Sequence, residues 1–187
     1  GVLEGDVVIH DVEGRPAQKS AYRAGLLDGR TLLYGDGRAF ASIGYKAGLM
    51  DGEFLGYGAD GEVNAKVAYR LGRIHGDALY YYPNGKIARH AKYVDGLLHG
   101  ETLEYDPQGR VTESAPYVKG RLEGELRRFH PNGVVKESTR YRDGKPAGET
   151  REFDTAGLPK ATIVQSGDGT APSAGMAGFF ERLVKGP

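Results

Sequence analysis

The feature that most constrains this chain is a 24-residue repeat marked by tyrosine. Leading tyrosines recur at intervals of 23, 24, 24, 24 and 24 residues, and glycine follows each one after three and after seven residues. A second aromatic residue comes five positions after the second glycine. Self-similarity with this period predicts a repeat architecture. The leading tyrosines are Tyr22, Tyr45, Tyr69, Tyr93, Tyr117 and Tyr141, and the second aromatics are Tyr34, Tyr57, Tyr81, Tyr105, Phe129 and Phe153.

Residues 1–21 fit the same pattern as a seventh unit that starts in mid-repeat. Gly1, Gly5, His10 and Gly14 occupy four of its positions, and the leading tyrosine is missing. We therefore expect the natural protein to continue upstream, with either a removed leader or an artificial truncation at this point. A removed leader favours the periplasm, with the cytoplasm as the alternative.

Each unit reads as a β-hairpin. Tyr82-Pro83-Asn84-Gly85 provides proline and glycine where a tight turn needs them, and Asp95-Gly96 does so at the reverse connection. A helix is disfavoured, because each internal glycine would cost about 0.8–1 kcal/mol. The sequence thus predicts an all-β fold, an elongated antiparallel hairpin array of about 14 strands, about 65 Å long at roughly 4.8 Å per strand.

We expect the two aromatic columns to form the apolar spine, because a hairpin is marginal alone and neighbouring units must bury such columns together. The apolar residue five positions after each of the first five leading tyrosines should join them. These residues are Leu27, Met50, Ile74, Leu98 and Leu122.

The C-terminal tail departs from the repeat. Residues 1–164 form the seven repeats, and residues 165–175 have the composition of a flexible linker. Residues 176–187 then predict a short amphipathic helix, with Phe179 and Phe180 on its apolar face. This helix either caps the last hairpin or docks on a partner or a second copy.

The composition excludes several kinds of functional site. Zero Cys excludes disulfides, zinc-thiolate sites and thiol nucleophiles. His75 and His99 stand one repeat apart, about 10 Å by strand spacing, which is too far for one metal ion. We assign them to turns, and we expect no catalytic residue, no metal and no cofactor.

The repeat unit resembles a MORN repeat, in the bacterial variant of YwqK-type antitoxin-like proteins. The similarity rests on residues 81–86 and 93–101, with a second good copy at residues 129–133 and 141–145, and it extends over residues 1–164. The resemblance implies a binding scaffold rather than an enzyme. Bacterial members are described as antitoxin or immunity-like proteins, whereas eukaryotic relatives are associated with phospholipid binding and dimerisation.

Charge is uneven along the chain, although 25 basic residues balance 25 acidic ones. Residues 69–92 carry a net charge of +4, residues 93–116 carry −4, and residues 117–140 carry +3. The bands are either solvated cross-strand pairs or a charge pattern that matches one partner surface. A zero total disfavours nucleic acid, and the acidic band interrupts the continuous basic face that a membrane would need.

We expect partner contacts to concentrate on exposed tyrosine and arginine side chains, where interface energy is usually found. The densest basic patch is Arg127, Arg128, Lys136 and Arg140, and the acidic patch beside it is Glu101, Glu104, Asp106 and Glu113. The predicted partner-binding residues are Tyr80, Tyr82, Arg127, Arg128, Glu104, Asp106, Phe179 and Phe180.

The leading hypothesis is an antitoxin or immunity protein that occludes a cognate bacterial toxin or secreted effector by direct binding. The alternatives are a membrane-associated lipid-binding scaffold and a self-assembling structural scaffold, the latter as a homodimer through an edge strand or the tail.

Overall fold

A computed structural model describes residues 1–164, and these form one continuous antiparallel sheet. The strands are β1 (Gly5–His10), β2 (Pro16–Arg23), β3 (Leu26–Gly35), β4 (Arg38–Lys46), β5 (Leu49–Tyr57), β6 (Val63–Arg70), β7 (Arg73–Tyr81), β8 (Ile87–Val94), β9 (Leu97–Leu98), β10 (Gly100–Tyr105), β11 (Val111–Val118), β12 (Arg121–Leu122), β13 (Gly124–Phe129), β14 (Val135–Arg142), β15 (Lys145–Phe153) and β16 (Pro159–Val164).

The strands lie in chain order across the sheet, so the predicted antiparallel meander is confirmed. The sheet has 16 strands rather than about 14, because two strands are interrupted. His99 separates the two-residue strand β9 from β10, and Glu123 separates β12 from β13. The linker over residues 165–175 and the helix over residues 176–187 lie outside the described residues.

The turns that follow the leading tyrosines place two residues in the left-handed region. Asp95 has φ 49° and Gly96 has φ 88°, and the other units repeat this pair. Two successive positive φ angles match the twist of a two-residue hairpin, which explains the glycine at the second position. In the turns at the opposite ends of the strands, the backbone also closes on itself; for example, the Gly85 amide donates to the Tyr82 carbonyl at 2.9 Å. Each turn therefore follows from its local sequence.

The two faces of the sheet differ, because successive side chains alternate across a strand. We call the face with the leading tyrosines the tyrosine face. The opposite face carries one leucine in each of four successive units, and we call it the leucine face. These leucines are Leu32, Leu55, Leu79 and Leu103.

A mostly buried row of small, branched and aromatic side chains crosses the tyrosine face. Two clusters of the core lie along this face, one around Phe54 and Val67 and the other around Leu126. Most of the row pairs directly from strand to strand. Its members are Ser20, Thr31, Ile43, Phe54, Val67, Ala78, Ala91, Thr102, Ala115, Leu126, Thr139 and Thr150.

The expected spine is half correct. The leading tyrosines from Tyr69 to Tyr141 pack in or against the core, together with Met50, Ile74 and Leu122. Leu27 and Leu98 are half-buried. The second aromatic column does not join either cluster of the described core. Tyr81 follows the inward Tyr80, so alternation places this column on the leucine face, where it is half-buried.

Candidate partner-binding surfaces

One row of the tyrosine face changes from apolar to charged along the sheet. In its first part, Leu33 pairs with Ala41, and the row continues through Gly56, Ala65 and Tyr80. From β8 to β15 the paired positions are all ionisable. We call this second part the charged row: Arg89, Glu104, Glu113, Arg128, Glu137 and Glu152.

Two arginines hold the charged row together. Arg89 Nε lies 3.3 Å from a Glu104 carboxylate oxygen, and its side chain is only 13% exposed. Arg128 Nε donates to Glu113 at 3.1 Å, and another nitrogen of its guanidinium donates to Glu137 at 2.8 Å. The Arg128 side chain is 42% exposed, so part of its guanidinium remains accessible to a partner.

The carboxylates of the charged row are crowded. Glu104 and Glu113 are directly paired on neighbouring strands, which places like charges opposite each other. Burial raises the pKa of Glu104, Arg89 partly opposes this rise, and Glu113 adds to it. Arg89 thus compensates for a charge that is otherwise unfavourable in this environment.

Tyr80 is not the exposed anchor that the sequence predicted. Its side chain is buried in the first core cluster, at 6% exposure, and burial raises its pKa. The prediction was wrong because it took Tyr81 as the inward residue. Gly76 pairs with the leading Tyr93 on the tyrosine face, so alternation from Gly76 brings Tyr80 to the core.

Tyr82 and Asp106 hold the turns at the sheet edge. The Tyr82 hydroxyl donates to the Tyr105 carbonyl in the next unit at 2.7 Å. Asp106 accepts hydrogen bonds from the backbone amides of Arg110 and Gln108 and from the Arg110 side chain. These bonds, above all that from the Arg110 amide, lower the pKa of Asp106. Both side chains therefore have structural partners already.

Arg127 lies on the leucine face, opposite to Arg128. Its guanidinium pairs with Glu125, whose other carboxylate oxygen accepts from the Ser138 hydroxyl. The Ser138 bond, followed by the Arg127 bond, lowers the pKa of Glu125. Two more exposed cations share this face in the last units, Arg140 and Arg151.

The structure thus divides the predicted site residues among several places. Glu104 and Arg128 lie in one row, linked through Glu113, whereas Arg127 lies on the other face. Phe179 and Phe180 lie outside the described residues. Sequence reasoning missed Arg89, Glu137 and Arg151. A signal was present, since Arg151 follows Arg127 by 24 residues and residues 89, 113 and 137 share one position of the repeat.

The histidine at the sheet edge has the expected turn contact. His75 Nδ1 lies 3.3 Å from the Asp95 backbone nitrogen, which donates to it from the following turn. Within residues 1–164, the structure contains no group of three or more His, Cys, Asp or Glu side chains that could hold a metal ion. In the same residues, no helix is long and apolar enough to cross a membrane.

Comparison with known protein families identifies the repeat. Residues 74–95 and 122–143 each match the MORN repeat variant. A search of curated proteins finds no match to this chain. The two matched stretches start 48 residues apart, which is two periods, and each begins in the strand that directly follows a leading-tyrosine turn. The antiparallel meander is consistent with this assignment, and these two stretches therefore are MORN repeats of the variant type.

Proposed function

We propose that this chain is an antitoxin or immunity protein that neutralises a cognate bacterial toxin or secreted effector by direct binding and steric occlusion. The observation that supports the proposal best is a single-layer sheet whose two faces both present arginine over the last units. Arg128 is accessible on the tyrosine face, and Arg127, Arg140 and Arg151 are exposed on the leucine face. Arginine is enriched among the residues that dominate binding energy.

A preformed sheet of this kind suits inhibition by occlusion. Consecutive units are joined by cross-strand pairing and by hydrogen bonds between turns, such as Asn84 Nδ2 to the Pro107 carbonyl at 2.8 Å. A rigid surface loses little conformational entropy on binding, so more of the contact energy appears as affinity. The toxin's active cleft or docking face would be covered without rearrangement of the sheet.

The test begins by immobilising the full chain on a support and exposing it to a lysate of the cells that produce it. A captured protein is then expressed alone and with the chain in a host whose growth is measured. We expect growth arrest by the captured protein, rescue by co-expression, and a stoichiometric complex by light scattering. A captured protein that is harmless, or a toxin that co-expression does not neutralise, would contradict the proposal.

One observation favours the lipid-binding alternative. The edge with the leading-tyrosine turns exposes six large aliphatic side chains, and five of its six turns are net positive. Both features suit an anionic membrane surface. Carboxylates of Asp28, Asp51 and Glu123 bind turn amides on the same edge and reduce its positive charge. The exposed aliphatic residues are Leu26, Leu49, Leu71, Val94, Leu97 and Val118.

Vesicle flotation separates the two functions. The full chain is mixed with vesicles of phosphatidylcholine alone or with about one third phosphatidylserine. A lipid-binding scaffold would float with the anionic vesicles, and Leu71→Ser with Arg70→Gln would reduce the floating fraction. Under the antitoxin proposal, the chain stays in the soluble fraction with both vesicle types.

A further inference from the structure

A depression of about 400 Å³ opens on the leucine face between β13 and β15. Two glycines contribute no side chain there, so the surface is lower than its surroundings. Gly124 has φ 122°, a conformation that other residues rarely adopt, and this keeps the position free of a side chain. The lining residues are Gly124, Glu125, Ser138, Arg140, Gly148, Glu149 and Arg151.

The lining of the depression carries two arginines and two glutamates, and both of its guanidinium groups lie outside the ion pairs that the described residues form. Arg140 is paired in register with Glu125, and Arg151 with Ser138. Glu125 forms no ion pair with either arginine, because its two oxygens accept bonds from Arg127 and from the Ser138 hydroxyl; Arg151 acts on it only at longer range, as a minor cause of its lowered pKa. Among residues 1–164, neither Arg140 nor Arg151 has a carboxylate within ion-pair distance.

The surroundings favour a discrete carboxylate over a continuous anion. Glu125 and Glu149 lie on the lining itself and would repel a phosphodiester backbone that tracks across the face. Phe129 and Phe153 are half-buried on the same face and offer apolar contact beside the charges.

We propose that this depression receives a carboxylate side chain from an acidic segment of a protein partner, held between the guanidinium groups of Arg140 and Arg151. A guanidinium can donate two parallel hydrogen bonds to one carboxylate, which gives both affinity and orientation. The inference rests on the proposed function in one respect, namely that the partner is a protein. It adds the place of contact and the chemistry of the partner.

The test uses a fluorescein-labelled ten-residue peptide of alternating Glu and Ser, followed by fluorescence anisotropy with the full chain at low salt. We expect R140Q/R151Q to weaken binding at least tenfold. The matched control R30Q/R73Q removes two exposed arginines, one on the same face and one at the sheet edge, and should change the Kd less than twofold. A peptide with Gln in place of Glu should not bind.

Three results would overturn the inference. These are equal losses in the two double variants, equal binding of the Gln peptide, and no binding of the Glu peptide to the unaltered chain. The substituted side chains are exposed, and a thermal melt of each variant verifies that the fold is retained.

The same variants separate this inference from the proposed function. If a toxin is neutralised equally well by R140Q/R151Q, the depression is not its contact site, while the antitoxin function stands. If the peptide data hold but no toxin is neutralised, the antitoxin proposal fails, while the carboxylate site stands.

Discussion

One row of side chains on the tyrosine face is apolar in the first part of the sheet and charged in the second part. Between β4 and β7, the row beside the core is apolar, and Ala65 and Tyr80 are both buried. From β8 to β15, the same row consists of arginine and glutamate, and the adjoining core cluster is smaller. The comparison shows that the residue type at a position depends on the residue opposite it on the next strand. It does not depend on a chemical class that all repeats share at that position.

The largest expected effect comes from one position of the repeat that is buried in both parts. Phe54 is 4% exposed in the apolar part, and Leu126 is 2% exposed in the charged part. We expect Phe54→Ala to destabilise the chain by about 3–5 kcal/mol and Leu126→Ala by about 2–4 kcal/mol, because each leaves a cavity. Urea denaturation measures both. Equal, small losses would show that neither cluster dominates stability.

The second largest effect on stability is expected when charged residues of the charged row are replaced by leucine. We expect Arg89→Leu to cost about 1–3 kcal/mol, because Glu104 then keeps a half-buried charge without its partner. The double variant Arg89→Leu, Glu104→Leu should recover most of that loss, since both charges are gone. Thermal melts of the two single variants and the double variant complete the cycle. A double variant as unstable as the sum of the singles would contradict the reading.

A smaller effect is expected from a buried threonine that recurs in the core row. The Thr102 hydroxyl is buried and has no hydrogen-bond partner among residues 1–164, because Ala115 is opposite it. Thr150 in the same position of a later unit shares a 2.7 Å hydrogen bond with Thr139. We expect Thr102→Val to stabilise the chain by about 1 kcal/mol and Thr150→Val to destabilise it by a similar amount. The opposite signs are the control for each other in denaturant titrations.

The smallest effect is a pH dependence that differs in sign between two glutamates. Burial raises the pKa of Glu104, so its contribution is fully present below the ordinary value of 4.5 and is lost as pH rises through the folded pKa. The Ser138 and Arg127 bonds lower the pKa of Glu125, so its contribution is present above 4.5 and is lost as pH falls through the folded pKa.

Glu104→Gln and Glu125→Gln expose this difference when the Tm is measured from pH 3 to pH 7. The Tm of the unaltered chain minus that of Glu104→Gln should fall as pH rises above about 4.5. The same difference for Glu125→Gln should fall as pH decreases below about 4.5. Parallel curves would mean that the two carboxylates share one environment.

The sequence predicted the meander and its turns because their determinants are local. The leading tyrosines and the glycines that follow them recur with one period, and glycine occupies the second position of each leading-tyrosine turn, where φ is positive. Each such feature can be recognised within a single repeat.

The core row and the charged row depend instead on pairing between different positions of neighbouring strands. Thr31, Phe54, Ala78 and Leu126 share one position but no chemical class, so no pattern identified it. Tyr80 was misplaced for a related reason, since its face is fixed by the pairing of Gly76 with Tyr93 rather than by its own neighbours. Once the register is known, both rows follow from the sequence.

The order of the strands also has a mechanical consequence. All substantial contacts between strands join neighbours along the sheet, and none bridges distant units of the described chain. Force applied to the two ends would therefore detach hairpins from the outside inward rather than break the whole molecule at once. Each detached unit of 24 residues would release about 80 Å of chain, which makes the array a graded extensible element.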